Sequence, residues 1–369
     1  MSDAPEPVRR PGSRASNRRS FRQRHPVIVW AVVLVVLLPV VGGASYAWNL
    51  KRKLDDLETV KLNPSKEKPD PDEGRALNIL LLGSDKGEAG EGQPKNTTIA
   101  EDAASGDWPV GKYRSDTLMI VHIPANRKKV YLVSVPRDSL VPIYDEKGES
   151  IGSDKINAAF AAGGPVASIN TIEKLTGLKM DHLAIIDWEG FRDLSTAVGG
   201  VEVTIPRSFY DPQQKIQWDA GTQTLEGNKA LQYVRTRYGL IGGDFDRIKR
   251  QQNFMRSLMG KMLDSGVTTS PRRLSSTVGA LTKNLTVDEG WSGTAMAKLA
   301  LSLRGIGTED VTFMTAPVQG TATDPTHGSI VVLQEDKMGE LFTALGKSRM
   351  GAYLKKYPDE VLPDAEDVS

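Results

Sequence analysis

Apolar residues recur along this chain in short runs separated by turn signals, and the period of the runs switches repeatedly between strand-like and helix-like. Residues 77–82 are a run of strand length, apolar apart from Asn78, that ends at Gly83-Ser84-Asp85. Residues 117–123 and 129–135 predict two more strands, joined as a hairpin through Pro124-Ala125-Asn126-Arg127. Lys155-Ile156-Asn157 is expected to open a helix through the alanine-rich run 158–162, and 165–175 predicts another, stopped by Gly177. A strand at 183–186, a helix at 188–197 ended by Gly199-Gly200, a strand at 201–205 and a short helix at 225–232 follow. Past Gly266, Thr286-x-x-Glu289 reads as a capping box ahead of a helix to Leu303. Residues 311–315 and 329–333 then predict strands, and 335–345 a helix. Such alternation predicts a layered α/β domain.

One stretch falls outside that pattern. Residues 27–38 are almost unbroken apolar, and 39–48 continue with small or apolar types apart from Ser45 and Tyr46, enough to cross a bilayer. The run is too long for a signal-peptide core. Trp30, Tyr46 and Trp48 sit near its two ends. Seven arginines in residues 1–25, against Asp3 and Glu6, predict a cytoplasmic N-terminus and an extracellular remainder, in a single-pass protein of the cell membrane in contact with membrane lipid. The expected organisation is a disordered basic tail at 1–25, a transmembrane helix at 26–48, an extracellular linker at 49–75 and a catalytic domain at 76–265. A C-terminal extension at 266–350, packed on the same domain, and a loose acidic tail at 351–369 complete it.

Composition narrows the chemistry. The absence of cysteine excludes a disulfide framework and a cysteine zinc site. Outside the tail the chain holds 40 basic and 44 acidic residues, so no nucleic-acid partner is expected. His25, His122, His182 and His327 lack metal-ligand spacing, and no G-x-S-x-G or Walker loop occurs. The chemistry concentrates in VRTRYGLIGGDFDRIKRQQ, residues 234–252. Arg235 and Arg237 would point to one side of an extended segment, and Gly242-Gly243 allows a turn. Asp244 reads as the N-cap of a helix that sets Arg247 and Gln251 on one face, with Arg250 beside it. Converging arginines would repel one another without an anion between them, and the guanidinium fork suits phosphate. A solvated basic helix paired with Asp244 and Asp246 is the plainer alternative.

Other polar groups fall at strand ends, where open α/β sheets form ligand crevices: Asp85, Arg114, Asp116 and Arg137. Two carboxylates beside bound phosphate are a usual setting for magnesium. Lys155 is either a surface lysine or a phosphate contact, and Asn157 a helix residue or a support behind the site. Residues 86–113 form a long glycine-rich loop without period, of the kind that is functional or disordered.

Four ordered motifs, Arg114-Ser-Asp116-Thr, Ser134-Val-Pro-Arg137-Asp138, Lys155-Ile-Asn157-Ala and Arg235-x-Arg237 with Asp244-x-x-Arg247-x-x-Arg250-Gln251, resemble those of the LytR–CpsA–Psr family over residues 77–262. The resemblance implies an α/β/α sandwich around a central mixed β-sheet, with a hydrophobic channel for a lipid tail. Residues 158–172, too apolar for a surface helix, are candidates for that channel or for ordinary core. It implies a phosphotransferase that moves an anionic or secondary cell-wall glycopolymer, such as wall teichoic acid, from a polyprenyl-pyrophosphate carrier to peptidoglycan. Asp85 and Asp116 would bind magnesium or manganese. Arg114, Arg137, Lys155, Arg235, Arg237, Arg247 and Gln251 would surround the pyrophosphate, with Asp116, Arg237, Arg247 and Asp244 in catalytic roles and the general base left open between Asp116 and Asp244. Rival readings with the same residues are a polyprenyl-pyrophosphate hydrolase and a non-enzymatic membrane-anchored regulator. Loop 86–113 is longer than the family core leads one to expect.

Overall fold

The computed structural model describes residues 49, 52–53, 55–62, 74–85, 97–105, 108–111, 113–236, 244–264, 278–279, 282, 285–303 and 305–368. The chain divides into two units, Met1–Asn49 and Leu50–Ser369. Only Asn49 is described in the first, so the predicted basic tail and apolar span lie outside the described residues, as do Arg237 and Gly242-Gly243. Among the described residues no helix is long and apolar enough to cross a membrane.

The strands in chain order are β1 (Glu58–Val60), β2 (Leu77–Ser84), β3 (Ser115–Ile123), β4 (Val130–Val135), β5 (Leu140–Tyr144), β6 (Ser150–Lys155), β7 (His182–Ile186) and β8 (Val201–Ile205). They continue with β9 (Phe209–Asp211), β10 (Ile216–Trp218), β11 (Gly221–Leu225), β12 (Leu285–Asp288), β13 (Val311–Thr315), β14 (Val318–Asp324) and β15 (Gly328–Leu333). The helices are α1 (Ile99–Ala104), α2 (Ala158–Thr176), α3 (Trp188–Ala197), α4 (Gly227–Arg235), α5 (Asp244–Asp264), α6 (Gly293–Ser302), α7 (Glu335–Gly346) and α8 (Met350–Lys356).

Among the described residues seven strands form the central mixed sheet, in the order β1-β12-β7-β2-β3-β4-β13. β2, β3 and β4 form an antiparallel meander, β7 lies parallel to β2, and β13 parallel to β4. The period-2 alternation of side chains divides each strand between two cores. Leu80, Leu82, Leu118, Ile120, Val133 and Val135 face a layer built from α2, α7 and α8, through Phe160, Ile172, Leu341, Leu345 and Tyr353. Leu77, Ile79, Met119, Ile123 and Leu132 face the other way, onto Met255 and Met259 of α5 and Leu299 of α6. Both sheet faces are thus covered by helices. That is why these strands read as continuous apolar runs rather than alternating ones. A third core joins α3, α4, β8 and β11 to Phe254 and Leu258 of α5.

The structure corrects several sequence expectations. Thr286 lies in β12 and caps no helix, because Thr286 and Val287 pair with β1 on one side and β7 on the other. The buried Asp288 carboxylate accepts the Leu183 N–H at 3.0 Å and faces His182 Nδ1 at 3.1 Å, which fixes the strand. Residues 158–172 pack in the core through Ala159, Phe160, Ile169 and Ile172. The two predicted helices there are continuous as α2 but broken at Gly163-Gly164, where Gly164 has φ 61° and ψ −144°. A Cβ at Gly164 would lie 2.8 Å from the Trp108 ring, so only glycine lets this loop residue seat on the break. The long loop itself contains α1, opened by a Thr98–Glu101 capping box. Lys155 ends β6, and α2 begins at Ala158. The acidic tail is held down: Leu362 and Val368 are buried under the sheet, and the Leu362 N–H donates to Phe313 O at 2.8 Å.

His122, on β3, is buried, with Nδ1 2.7 Å from Asn78 Oδ1. Burial pulls its pKa from 6.5 down to about 4; Asp181 opposes the shift and Arg127 adds to it. The folded state therefore disfavours the charged form. The stability is fully present above pH 6.5 and drains away as pH falls toward 4. Between pH 7.5 and pH 5 this group alone is expected to cost about 2 kcal/mol. Urea unfolding at the two pH values should show that loss in the native protein and little of it in His122→Gln.

Candidate functional site

The pairing directions bring the carboxyl ends of β2, β4, β7 and β13 and the start of β3 to one end of the sheet. There β2 and β3 slip by one residue: Gly83 opposes Thr117, but Ser84 opposes Ser115. Asp116 is the extra residue of this bulge, a device that re-aims a side chain. Gly83 permits the close approach, since a Cβ there would lie 3.0 Å from Thr117 Cβ. Asp85 closes the strand pair. Its N–H donates to Arg114 O at 3.1 Å, and its Oδ1 accepts the Arg114 N–H at 2.8 Å. The Arg114 side chain is exposed.

From the bulge a chain of charges crosses the strand ends. Arg137 Nη1 donates to Asp116 Oδ1, and Arg137 Nε lies 3.4 Å from Asp138 Oδ2. Lys155 Nζ lies 3.6 Å from Asp138 Oδ1. Backbone bonds hold the two segments together: Ile156 N–H donates to Ser139 O at 2.8 Å and Asn157 N–H to Arg137 O at 3.2 Å. All four side chains are between 13% and 24% exposed, so the pairs are partly desolvated yet open on one side. The sequence reading gave Asp138 no role, although it directly follows Arg137.

α5 and α4 supply the facing wall. Asp244 is the first residue of α5, and Arg247 is buried at 2% exposure. Gln251, one turn on, spans two elements: Thr117 Oγ1 donates to its Oε1 at 3.4 Å, and its Nε2 donates to Val234 O at 3.3 Å. Gln251 thus ties β3 to α4, where a direct phosphate contact was expected. Arg235 is the last residue of α4, not part of an extended pair with Arg237. The helix runs that far because Ala230, Leu231 and Val234 pack in the third core. It ends where Thr236 turns to φ −56° and ψ 127°. The Arg235 guanidinium carbon lies 3.3 Å from the centre of the Trp188 ring, at the start of α3. No motif flagged Trp188; its place two residues after the end of β7 was the available signal. Arg250 turns away from the site into the third core, over Phe209 at 4.2 Å and Tyr233 at 5.2 Å.

Asp85 and Asp116 are hard oxygen donors at the mouth of this cluster. Among the described residues no three His, Cys, Asp or Glu side chains converge as a metal cage. A two-carboxylate set suits magnesium, which keeps water and substrate phosphate in its remaining positions.

Residues 40–347 match the LytR_cpsA_psr family. The chain is 32% identical over 384 residues to the cell wall biosynthesis protein LcpA of Corynebacterium glutamicum, covering 94% of this chain and 71% of LcpA. It is 28% identical to the polyisoprenyl-teichoic acid–peptidoglycan teichoic acid transferase TagU of Enterococcus faecalis, covering 75% of this chain and 82% of TagU. The structure of TagT bound to LIIa-WTA shares the fold, with TM-score 0.56 and 23% identity over 79% of this chain and 99% of TagT. The sheet topology, the ordered motifs and the length of the match agree: this chain belongs to the LytR_cpsA_psr family.

Proposed function

We propose that this protein is a phosphotransferase that attaches a cell-wall glycopolymer from a polyprenyl-pyrophosphate carrier to peptidoglycan through a phosphodiester bond. The observation that carries the reading is the charge chain Asp116–Arg137–Asp138–Lys155 laid across the strand ends. Relatives named for cell wall biosynthesis and for transfer of teichoic acid to peptidoglycan support it. In the reaction an acceptor hydroxyl oxygen bonds to the polymer-proximal phosphorus, the bond to the bridging oxygen breaks, and polyprenyl phosphate departs. Arg137, Lys155, Arg235 and Arg247, with Arg114 and Arg237, supply the positive charge that binds the pyrophosphate and stabilises its reorganising oxygens. Gln251 holds the strand-to-helix spacing on which Arg235 depends. The Asp116 carboxylate is already engaged by Arg137 Nη1 and would also hold the metal. That favours Asp244 as the group that helps take the hydroxyl proton. Magnesium held by Asp85 and Asp116 would supply further positive charge at the phosphoryl oxygens.

The test is single-turnover transfer from a lipid-pyrophosphate donor to a peptidoglycan oligomer. Arg247→Ala and Arg237→Ala are expected to lower the rate at saturating donor at least about tenfold, or about 1.4 kcal/mol of barrier. Lysine at either position should restore little, because a point charge does not replace the guanidinium fork. Normal rates at saturating donor would reduce both arginines to binding contacts.

Metal dependence is a separate expectation. Chelation should abolish most turnover, and added magnesium should restore it in the native protein but not in Asp116→Ala. Equal rates with and without chelator would remove the metal from the reading.

The same reading places residues 1–25 in the cytoplasm, 26–48 in the membrane and the catalytic domain outside, where peptidoglycan is. Protease added to protoplasts should digest the domain. Protection until lysis would reverse the topology.

A further inference from the structure

Beside the charge cluster, along the β13 edge of the sheet, lies an open groove of about 440 Å³. Its inner wall is α5, through Phe245, Lys249 and Gln252; its outer wall includes Gln334, Lys337 and Glu360. α5 therefore serves two sites. At 100° per residue, 247 and 251 lie on one face of the helix, and 245, 249 and 252 on the nearly opposite one. Gln252 joins the two regions: its Nε2 donates to Ser134 Oγ at 2.8 Å, Met314 O at 2.8 Å and Thr315 Oγ1 at 3.2 Å. Ser134 stands three residues before Arg137 on the same segment.

The groove carries both signs of charge. Lys249, with 44% of its side chain exposed, lies 3.8 Å from Asp246, and Lys337 lies 3.3 Å from Glu360. Asp359 adds a second carboxylate. Two lysines face two carboxylates, so the groove offers no net positive charge to a polyanionic polymer and is poorly matched to such a donor. It matches a ligand bearing ammonium and carboxylate groups together with sugar rings. Phe245 offers an apolar face to a sugar, and Gln334 an amide for its polar edge.

We propose that this groove seats the peptide-bearing glycan of the acceptor, with the stem peptide between the two lysines and the two carboxylates. The proposal rests on the transferase reading and extends it to where the acceptor lies. It makes Lys249 a specificity-determining residue outside the phosphate cluster.

The experiment titrates a soluble disaccharide-pentapeptide into the full-length protein in nanodiscs, and measures transfer kinetics with the same acceptor. Lys249→Glu is expected to weaken muropeptide binding at least fivefold and to raise the acceptor KM by a similar factor. The donor KM and kcat should stay within twofold, and Lys249→Arg should behave as the native protein. Lys337→Glu should act in the same direction, with thermal unfolding of each variant confirming an intact fold. Unchanged muropeptide affinity in both glutamate variants would overturn the groove, as would a loss confined to the donor KM. If the native protein transfers nothing, the transferase reading fails, and the binding titration still decides whether the groove takes a muropeptide.

Discussion

Cations crowded at one end of a sheet repel one another, and the site depends on how the carboxylates offset that repulsion. Asp116 and Asp138 alternate with Arg137 and Lys155, so each positive group at the strand ends has a negative neighbour. The alternation depends on the slip between β2 and β3, which puts Asp116 in a bulge where it meets Arg137. Without the slip, the period of the strand would send the side chain to the other face. Arg235 is steadied differently, by the face of Trp188, which adds no competing anion to the cluster. An incoming anion thus meets arginines already held in place, and a charge-assisted contact of roughly 1.5–3 kcal/mol is not spent on ordering them.

Much of this was legible in the sequence because the central strands are buried on both faces. In the run 77–82 only Asn78 is polar, so its extent follows from apolar continuity, whereas in 201–205 Val201, Val203 and Ile205 alternate with Glu202 and Thr204 and mark a strand with one buried face. The errors share one cause: a local pattern was overridden by a distant partner. Thr286-x-x-Glu289 has the spacing of a cap, yet β1 and β7 claim Thr286 from both sides. Arg250 belongs by composition to the arginine cluster, but Phe209 and Tyr233 draw it into another core. The tail after 351 is acidic in sum, while Leu362 and Val368 are the residues that decide its position. Helical spacing puts Gln251 on the same face of α5 as Arg247. That it links Thr117 to Val234 depends on which elements lie on either side, and spacing does not carry that information.

The C-terminal region takes part in the site as well as in the core. β13 completes the sheet beside β4, and the Ala316 N–H donates to Ser134 O at 2.8 Å. β15 touches the segment after Arg137, where the Val331 N–H donates to Asp138 O at 2.8 Å. Asp138 is therefore braced from a part of the chain nearly two hundred residues away, and a change in the 318–333 hairpin reaches the charge chain through one peptide unit.

Both edges of the sheet are completed late. β1 cannot pair until β12 has been made, and β4 remains an open edge until β13 arrives. A growing chain that has reached residue 260 already contains every residue of the charge cluster but neither β12 nor β13. Its unpaired backbone groups are a template for other chains and a target for proteases. Because loop closure over such distances precedes any reward, assembly of the sheet is expected to be slow and to finish only after β13 has been made. The order of synthesis thereby ties closure of the sheet to a strand that follows the charge cluster, so that a chain stopping before Val311 holds the whole cluster on a sheet whose β4 edge is unpaired.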